Sequence, residues 1–351
     1  MKAISLLSGG LDSTIATKCV KEQGIDVIAL NFKSPFCLCD GKKQSGCKHM
    51  AIEMAKQIGV QIKVIYLGEE YLEIIKKPKY GYGSGINPCI DCRILKYKKA
   101  KEFMNEIGAS FIITGEVLGQ RPMSQNLKAM QIIEKESGLE GLIVRPLCAK
   151  VLPESIPEKE KWVDREKFFE ITGRSRKEQL RLTKELKIIE YACPSGGCLL
   201  TDKFYSLKVK DLIKSNMFTM ENIKFFNFGR YFRITDKFKL IIGRNELENN
   251  IIKGLLKKGD ILLSSDAKGP IAAGRGEFTE NEIIISCRLL SYYCRFEKDL
   301  KIKIIQLPNK ENFIIINDRI EESFINKFKL EKFYETKEKK YCLIMIQFKN
   351  F

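Results

Sequence analysis

The chain has 351 residues, 44% of them hydrophobic and 30% charged, with no apolar run near the ~18 residues that a membrane-spanning helix needs. That length allows two compact domains with cores of their own. Sixty-one Lys and Arg against 44 Asp and Glu leave a charge of +17, spread over both halves, which favours a polyanionic partner through phosphate contacts.

In chain order, residues 3–7 predict a strand, 13–24 a helix closed by glycine, 26–32 a strand and 47–59 a second glycine-stopped helix. Residues 61–67 follow as a strand, 93–108 as a helix and 110–116 as a strand. Alternation of apolar, β-branched strands with amphipathic helices predicts an α/β fold, a parallel sheet with helices on both faces. A ligand is then expected at the carboxyl ends of the strands. Residues 151–191 are charged and helical in character. From about residue 203 the texture changes: 226–263 read as two strands, a helix and a further strand, and 312–317 and 341–348 as strands between Lys-rich turns. The expected domains are 1–203, a smaller α+β domain at 204–300, and a β-rich extension at 301–351. The N-terminus reads as a first strand rather than a signal peptide, so the expected location is cytoplasmic, with no membrane contact.

Between the first strand and the first helix stand Ser8, Gly9, Gly10, Leu11, Asp12 and Ser13. Two glycines allow a tight turn that brings successive N–H groups toward a ligand, and the helix start adds free N–H donors and a positive dipole end. Ser8 and Ser13 can bond phosphate oxygens, and Asp12 can hold Mg²⁺ or orient pyrophosphate. The Lys-containing loop that cradles a γ-phosphate for transfer is missing.

Twelve cysteines in a cytoplasmic chain are not expected to pair as disulfides. Cys37, Cys39 and Cys47 cluster, as do Cys89 with Cys92 and Cys193 with Cys198, which points to metal or sulfur chemistry. Cys37, Cys39, Cys47 and His49, the one histidine, fit a tetrahedral Zn²⁺ site that would brace the rim of the nucleotide pocket. A dipole at the helix start near Cys92 favours its thiolate.

The SGG-x-DS loop resembles the PP-loop of the N-type ATP pyrophosphatases, which bind the outer phosphates of ATP and release pyrophosphate after adenylating a substrate. Thr114-Gly115-Glu116-Val117-Leu118-Gly119-Gln120, followed by Ser124-Gln125 and Arg145-Pro146-Leu147, resembles the TGE-x-LGQ…SQ…RPL pattern of the 4-thiouridine synthetases, over residues 1–200. The likeness implies ATP contacts from Ser8–Ser13, Thr14, Asn31, Gly115, Glu116 and Gln120, with Asp12 catalytic and Gly115 letting the backbone approach the nucleotide. That family usually carries an RNA-binding domain ahead of the loop and a rhodanese domain at its C-terminal end, whereas here the loop stands at residues 8–13 and the segment after residue 203 has a different resemblance. Asn87-Pro88-Cys89-x-x-Cys92 resembles iron–sulfur-dependent thiouridylases. That likeness implies a [4Fe–4S] cluster on Cys89, Cys92 and Cys198, with Cys193 as substitute, fourth ligand or relay. Persulfide chemistry on the same cysteines and a four-cysteine zinc site stay open.

Residues from Gly229 to Asn250 resemble the RNA-binding domain of the NFACT proteins, which implies Arg230, Arg233, Lys239, Arg244 and Asn245 as phosphate contacts. Together these features lead to an ATP-dependent tRNA sulfurtransferase forming 4-thiouridine, with tRNA, a sulfur donor (sulfide or a cysteine desulfurase) and a homodimer as expected partners. Its near alternative is 2-thiouridine formation. A PP-loop enzyme adenylating a small molecule such as a deazapurine, and a non-catalytic RNA-binding module, are the readings of other classes.

Overall fold

The structure, a computed structural model, describes residues 1–37, 47–188, 197–308 and 310–330, with the side chains of 47–49 outside that description. It divides into two compact units, Met1–Asp202 and Lys203–Phe351.

In the first unit the elements run β1 (Lys2–Leu6), α1 (Leu11–Lys21), β2 (Asp26–Lys33), α2 (Cys47–Ile58), β3 (Gln61–Tyr66), α3 (Glu69–Lys76) and α4 (Cys89–Glu106). They continue with β4 (Phe111–Ile113), α5 (Leu127–Ser137), β5 (Ile143–Val144), α6 (Ile156–Lys159) and α7 (Lys177–Glu185). The five strands form one parallel sheet in the order β3-β2-β1-β4-β5. The predicted α/β class is what folds.

Period-two alternation along the strands feeds two cores. Ala3, Phe111 and Ile113 join Ile15, Val20 and Leu182 on one face, while Ile4 and Ile112 join Ile94, Tyr97, Ala100 and Ile133 on the other. The chain enters at the central β1, winds outward to β2 and β3, then returns to β4 on the other side of β1. This reversal opens a crevice beyond the carboxyl ends of β1 and β4.

Two local differences from the sequence expectation matter. First, α4 starts at Cys89 rather than near 93, because Pro88 takes the N-cap position, where its missing N–H costs nothing. Both cysteines therefore lie in the first turn. Second, of residues 151–191, expected as helical, the described ones to residue 188 give α6, short 3₁₀ turns and α7. Pro153 and Pro157 interrupt the first part, and a Ser155–Glu158 capping box restarts the helix for a single turn.

The second unit runs α8 (Lys203–Lys214), α9 (Met220–Phe226), β6 (Arg230–Arg233), β7 (Phe238–Ile242), α10 (Glu246–Gly254), β8 (Ile261–Ser265) and β9 (Ala272–Gly276). It ends with α11 (Glu280–Ser291), β10 (Leu300–Gln306), β11 (Lys310–Ile316) and α12 (Glu322–Asn326). Its six strands form a separate antiparallel sheet in the order β11-β10-β8-β9-β7-β6. Residues 301–316 are therefore not set apart as an extension. β10 hydrogen-bonds β8 along five residue pairs, and Leu300, Ile302 and Ile316 share a core with Leu240, Leu263 and Leu290. The predicted strand at 341–348 lies outside the described residues.

Candidate active site

The loop from Ser8 to Ser13 closes on itself. Ser8 and Ser13 hydroxyls lie 3.1 Å apart, and Ser13 Oγ and Thr14 Oγ1 each donate to Gly10 O at 2.9 Å. α1 begins at Gly10 without any side-chain cap, so its first N–H groups are left for a ligand. The side chains of Leu11 and Thr14 are buried, which leaves only their backbone to face a ligand. Gly9 sits at φ +81°, and a Cβ there would meet Ala51 N of α2 at 2.7 Å. Asn31, on β2, donates its Nδ2 to Leu7 O at 2.7 Å and so pins the entry to the loop, while its buried Oδ1 has no partner.

Gly115 has a different duty from the one expected. A Cβ at this position would lie 2.4 Å from Ser13 N and 2.5 Å from Asp12 C, so the missing side chain lets the end of β4 press against the first turn of α1. Glu116, expected beside ATP, serves here as the centre of a buried ion-pair cluster. It is buried, and its carboxylate is held by Arg93, by Arg145 Nε at 2.8 Å and by Thr114 Oγ1 at 3.3 Å. Arg93 directly follows Cys92, so this buried ion pair ties the head of α4 to the end of β4.

Asp12 is the polar centre of the crevice. Gln120 Nε2 donates to its Oδ2 at 3.1 Å, and its buried Oδ1 has no partner, which suits a cation such as Mg²⁺. Burial raises the Asp12 pKa, and Gln120, Arg176, Arg121 and Gln179 pull it back. The segment after Gly119 reaches onward: Gln125 N–H donates to Arg121 O, and buried Ser124 accepts from Cys89 Sγ at 3.2 Å. One short loop thus touches the nucleotide-loop carboxylate with Gln120 and a cysteine of the C-x-x-C pair with Ser124.

The thiols gather at the head of α4. Cys89, Cys92 and Cys198 all act electrostatically on the hydroxyl of buried Tyr71, whose pKa rises first through burial and then through Cys92. Lys96, one turn beyond Cys92, interacts with Cys92, Cys37 and Cys198. Burial pushes the Cys198 thiol up to about 12, a shift that the Leu200 N–H and Lys96 oppose. Among the described residues no three His, Cys, Asp or Glu side chains converge on a single metal ion. Cys39 and Cys193 lie outside the described residues, as do the side chains of Cys47 and His49. Cys37 stands apart from the zinc reading in one respect, since it pairs through its backbone with Cys198.

Sequence reasoning missed Tyr71, Arg93, Lys96, Arg121, Arg176 and Gln179. Arg93 and Lys96 were open to discovery, since Cys89, Cys92, Arg93 and Lys96 recur at helical spacing on one face. Arg121, Arg176 and Gln179 carry no such local signal.

In the second unit the basic residues divide. Lys239 is fully buried and paired with Asp211 at 3.2 Å, and Arg233 is buried between Asp211 and Asp236. Both hold the sheet together and are not available to phosphate. Asn245 caps α10 through the Glu248 N–H at 2.9 Å. Arg230 donates to Gly243 O and covers the Tyr293 ring. Arg244, its side chain about half exposed, pairs with Glu248 at 2.9 Å, and it and Asn245 are the two of the five that are exposed.

A glycine loop at the head of a helix, beside the reversal point of a parallel sheet, marks an α/β unit, and a second, antiparallel unit follows it. Comparison with known proteins gives the same division. Residues 1–156 match the family model "Thiamine biosynthesis protein (ThiI)" and residues 229–334 the model "NFACT protein RNA binding domain". A "Probable tRNA sulfurtransferase" of Thermococcus kodakarensis is 30% identical over 155 residues, 42% of this chain and 36% of that protein. A "tRNA-specific 2-thiouridylase MnmA" of Petrotoga mobilis is 32% identical over 130 residues, 33% of this chain and 35% of that protein. The chain thus spans only about a third of the length of these curated relatives. A 4-thiouridine synthetase–RNA complex with bound ATP is similar at TM-score 0.37 and 20% identity, covering 63% of this chain and 53% of that one. The U34-tRNA thiolase NcsA from Methanococcus maripaludis with its [4Fe–4S] cluster is similar at TM-score 0.32 and 17% identity, covering 73% and 71%.

Proposed function

We propose that the chain is an ATP-dependent tRNA sulfurtransferase that adenylates a uridine carbonyl and replaces its oxygen with sulfur. The observation that carries this reading is the loop whose Gln120 holds Asp12 at 3.1 Å and whose Ser124 holds Cys89 at 3.2 Å, because it makes the nucleotide loop and the thiols parts of one site. The free N–H groups of α1 bind the outer phosphates of ATP, Asp12 Oδ1 takes Mg²⁺, and the uridine oxygen attacks the α-phosphorus. Pyrophosphate leaves, and the oxygen later departs with AMP as sulfur attacks the carbonyl carbon. Arg121 and Arg176, near Asp12, suit the phosphates of this exchange.

An iron–sulfur cluster fits the donor set, which is soft thiol only and lies beside a lysine cation. Cys89, Cys92 and Cys198 would hold it, and it would supply sulfur to the activated carbonyl. Persulfide on the same cysteines is the competing sulfur source. The RNA substrate is supported by the net charge of +17 and by the RNA-binding model matched at residues 229–334. The TGE-x-LGQ…SQ…RPL pattern of residues 114–147 favours 4-thiouridine as product, and the 2-thiouridylase relatives favour 2-thiouridine as the second reading.

Purified chain, tRNA, ATP and sulfide, handled without oxygen, test the reading. Stoichiometric AMP and pyrophosphate together with one thiouridine isomer in the nucleoside profile are expected. ADP as the nucleotide product, or no thionucleoside, would end it. Asp12→Ala should abolish pyrophosphate release, whereas Cys198→Ala should abolish thiolation and leave ATP binding near normal.

A further inference from the structure

We propose that Cys37 is a fourth thiol of the sulfur site and the disulfide partner of Cys198. The two residues face each other in an isolated antiparallel bridge. Leu199 N–H donates to Phe36 O at 2.8 Å, so the hydrogen bond belongs to the flanking residues and not to the cysteines themselves. This makes the pair a non-hydrogen-bonded one, the geometry with side chains on the same side and Cα atoms about 4.5 Å apart. Disulfides form across Cα separations of about 4.4–6.8 Å. Neither cysteine is in a disulfide and both are only partly buried, so a small oxidant reaches them. Lys96 interacts with both and with Cys92, which places Cys37 among the thiols of the sulfur site.

The step needs an oxidant, here a low-molecular-weight disulfide. One cysteine thiolate attacks a sulfur of that disulfide, the small S–S bond breaks, and one small thiol leaves. The second cysteine thiolate then attacks the protein sulfur of the mixed disulfide. The Cys37–Cys198 bond forms and the second small thiol leaves, so both electrons end on the two small thiols. A dithiol reductant reverses the exchange. Closure removes Cys198 from the set that would hold sulfur or a cluster, and this consequence alone rests on the proposed sulfurtransferase function.

The test uses the full chain, reduced and free of metal, treated with oxidised glutathione, alkylated and digested without reductant. Mass spectrometry is expected to find the Cys37 and Cys198 peptides joined, two hydrogens lighter than their sum, with the linkage lost on reduction and absent from Cys37→Ser. Cys37 found joined to Cys39 or Cys47, Cys198 joined to Cys193 or Cys92, or Cys37 alkylated throughout would overturn the pairing. The wild-type linkage map stands even if the variant folds poorly. In a second arm, oxidised wild type is expected to lose thiouridine formation and regain it with a dithiol. A joined pair with undiminished thiolation would remove Cys37 from the sulfur site. A reduced chain that makes no thiouridine at all counts instead against the sulfurtransferase reading and leaves the linkage result untouched.

Discussion

Replacing Gly115 by Ala tests how β4 and α1 share space. The new Cβ would lie 2.4 Å from Ser13 N and 2.5 Å from Asp12 C, about 1 Å inside ordinary contact, and both neighbours are backbone. No side-chain rotation relieves such a clash, so the end of β4 and the phosphate loop must separate by roughly that distance. Overpacking of this kind costs about 1–3 kcal/mol. With a urea slope of ~2 kcal/mol/M, that is a fall of roughly 0.5–1.5 M in the unfolding midpoint. Trp162, the one tryptophan, packs at the edge of the first unit's core near Phe111, so its fluorescence reports that unit. The loop displacement should also slow pyrophosphate release, since a misplacement of about 1 Å near the chemistry can cost on the order of 100-fold. Gly254→Ala is the control, because nothing lies within 4 Å of a Cβ there. A Gly115→Ala protein with an unchanged midpoint and unchanged pyrophosphate release would refute the reasoning.

Glu116→Gln should destabilise the first unit by about 3–5 kcal/mol, because buried Arg145 and Arg93 lose the carboxylate between them; the same fluorescence titration measures it. In the second unit, burial depresses the Lys239 pKa to about 8 from 10.5. The unfolded chain therefore holds more protons than the folded one between those values, and stability should rise with pH across that window. The gain is roughly 1.4 kcal/mol per pH unit, about 3 kcal/mol in all, and it should vanish from the difference between wild type and Lys239→Met in circular dichroism melts. Arg244→Ala should weaken tRNA binding at low salt and lower the salt slope by about one, whereas Arg233→Ala should act through stability instead; anisotropy titrations across salt separate the two.

The parallel sheet was legible because buried strands and glycine-stopped helices carry strong local patterns, and the glycine turn between β1 and α1 because its residue types mark a strand–turn–helix junction. Gly115 was recognised as a close approach, but what it approaches is the backbone of α1, a long-range fact that no local pattern encodes. Glu116 was read as a ligand because an acid at a strand end looks functional, while its two arginine partners arrive from α4 and from beyond β5. The basic residues of β6 and β7 misled for a related reason. Alternation marks which residues share a face, but it does not say that Asp211 on α8 neutralises Arg233 and Lys239 from within. Cys37 followed the same rule, since its neighbour Cys198 lies far along the chain and the bridge between them exists only in the folded state.

The span from Gln120 to Ser124 is only five residues long and is anchored at both ends, by Asp12 and by Cys89. A cation held at the other oxygen of Asp12 would draw charge from the carboxylate to which Gln120 donates, and any tilt this caused would reach Ser124 across very little chain. A ligand that draws on Asp12 would therefore alter how readily Cys89 reacts with an alkylating reagent.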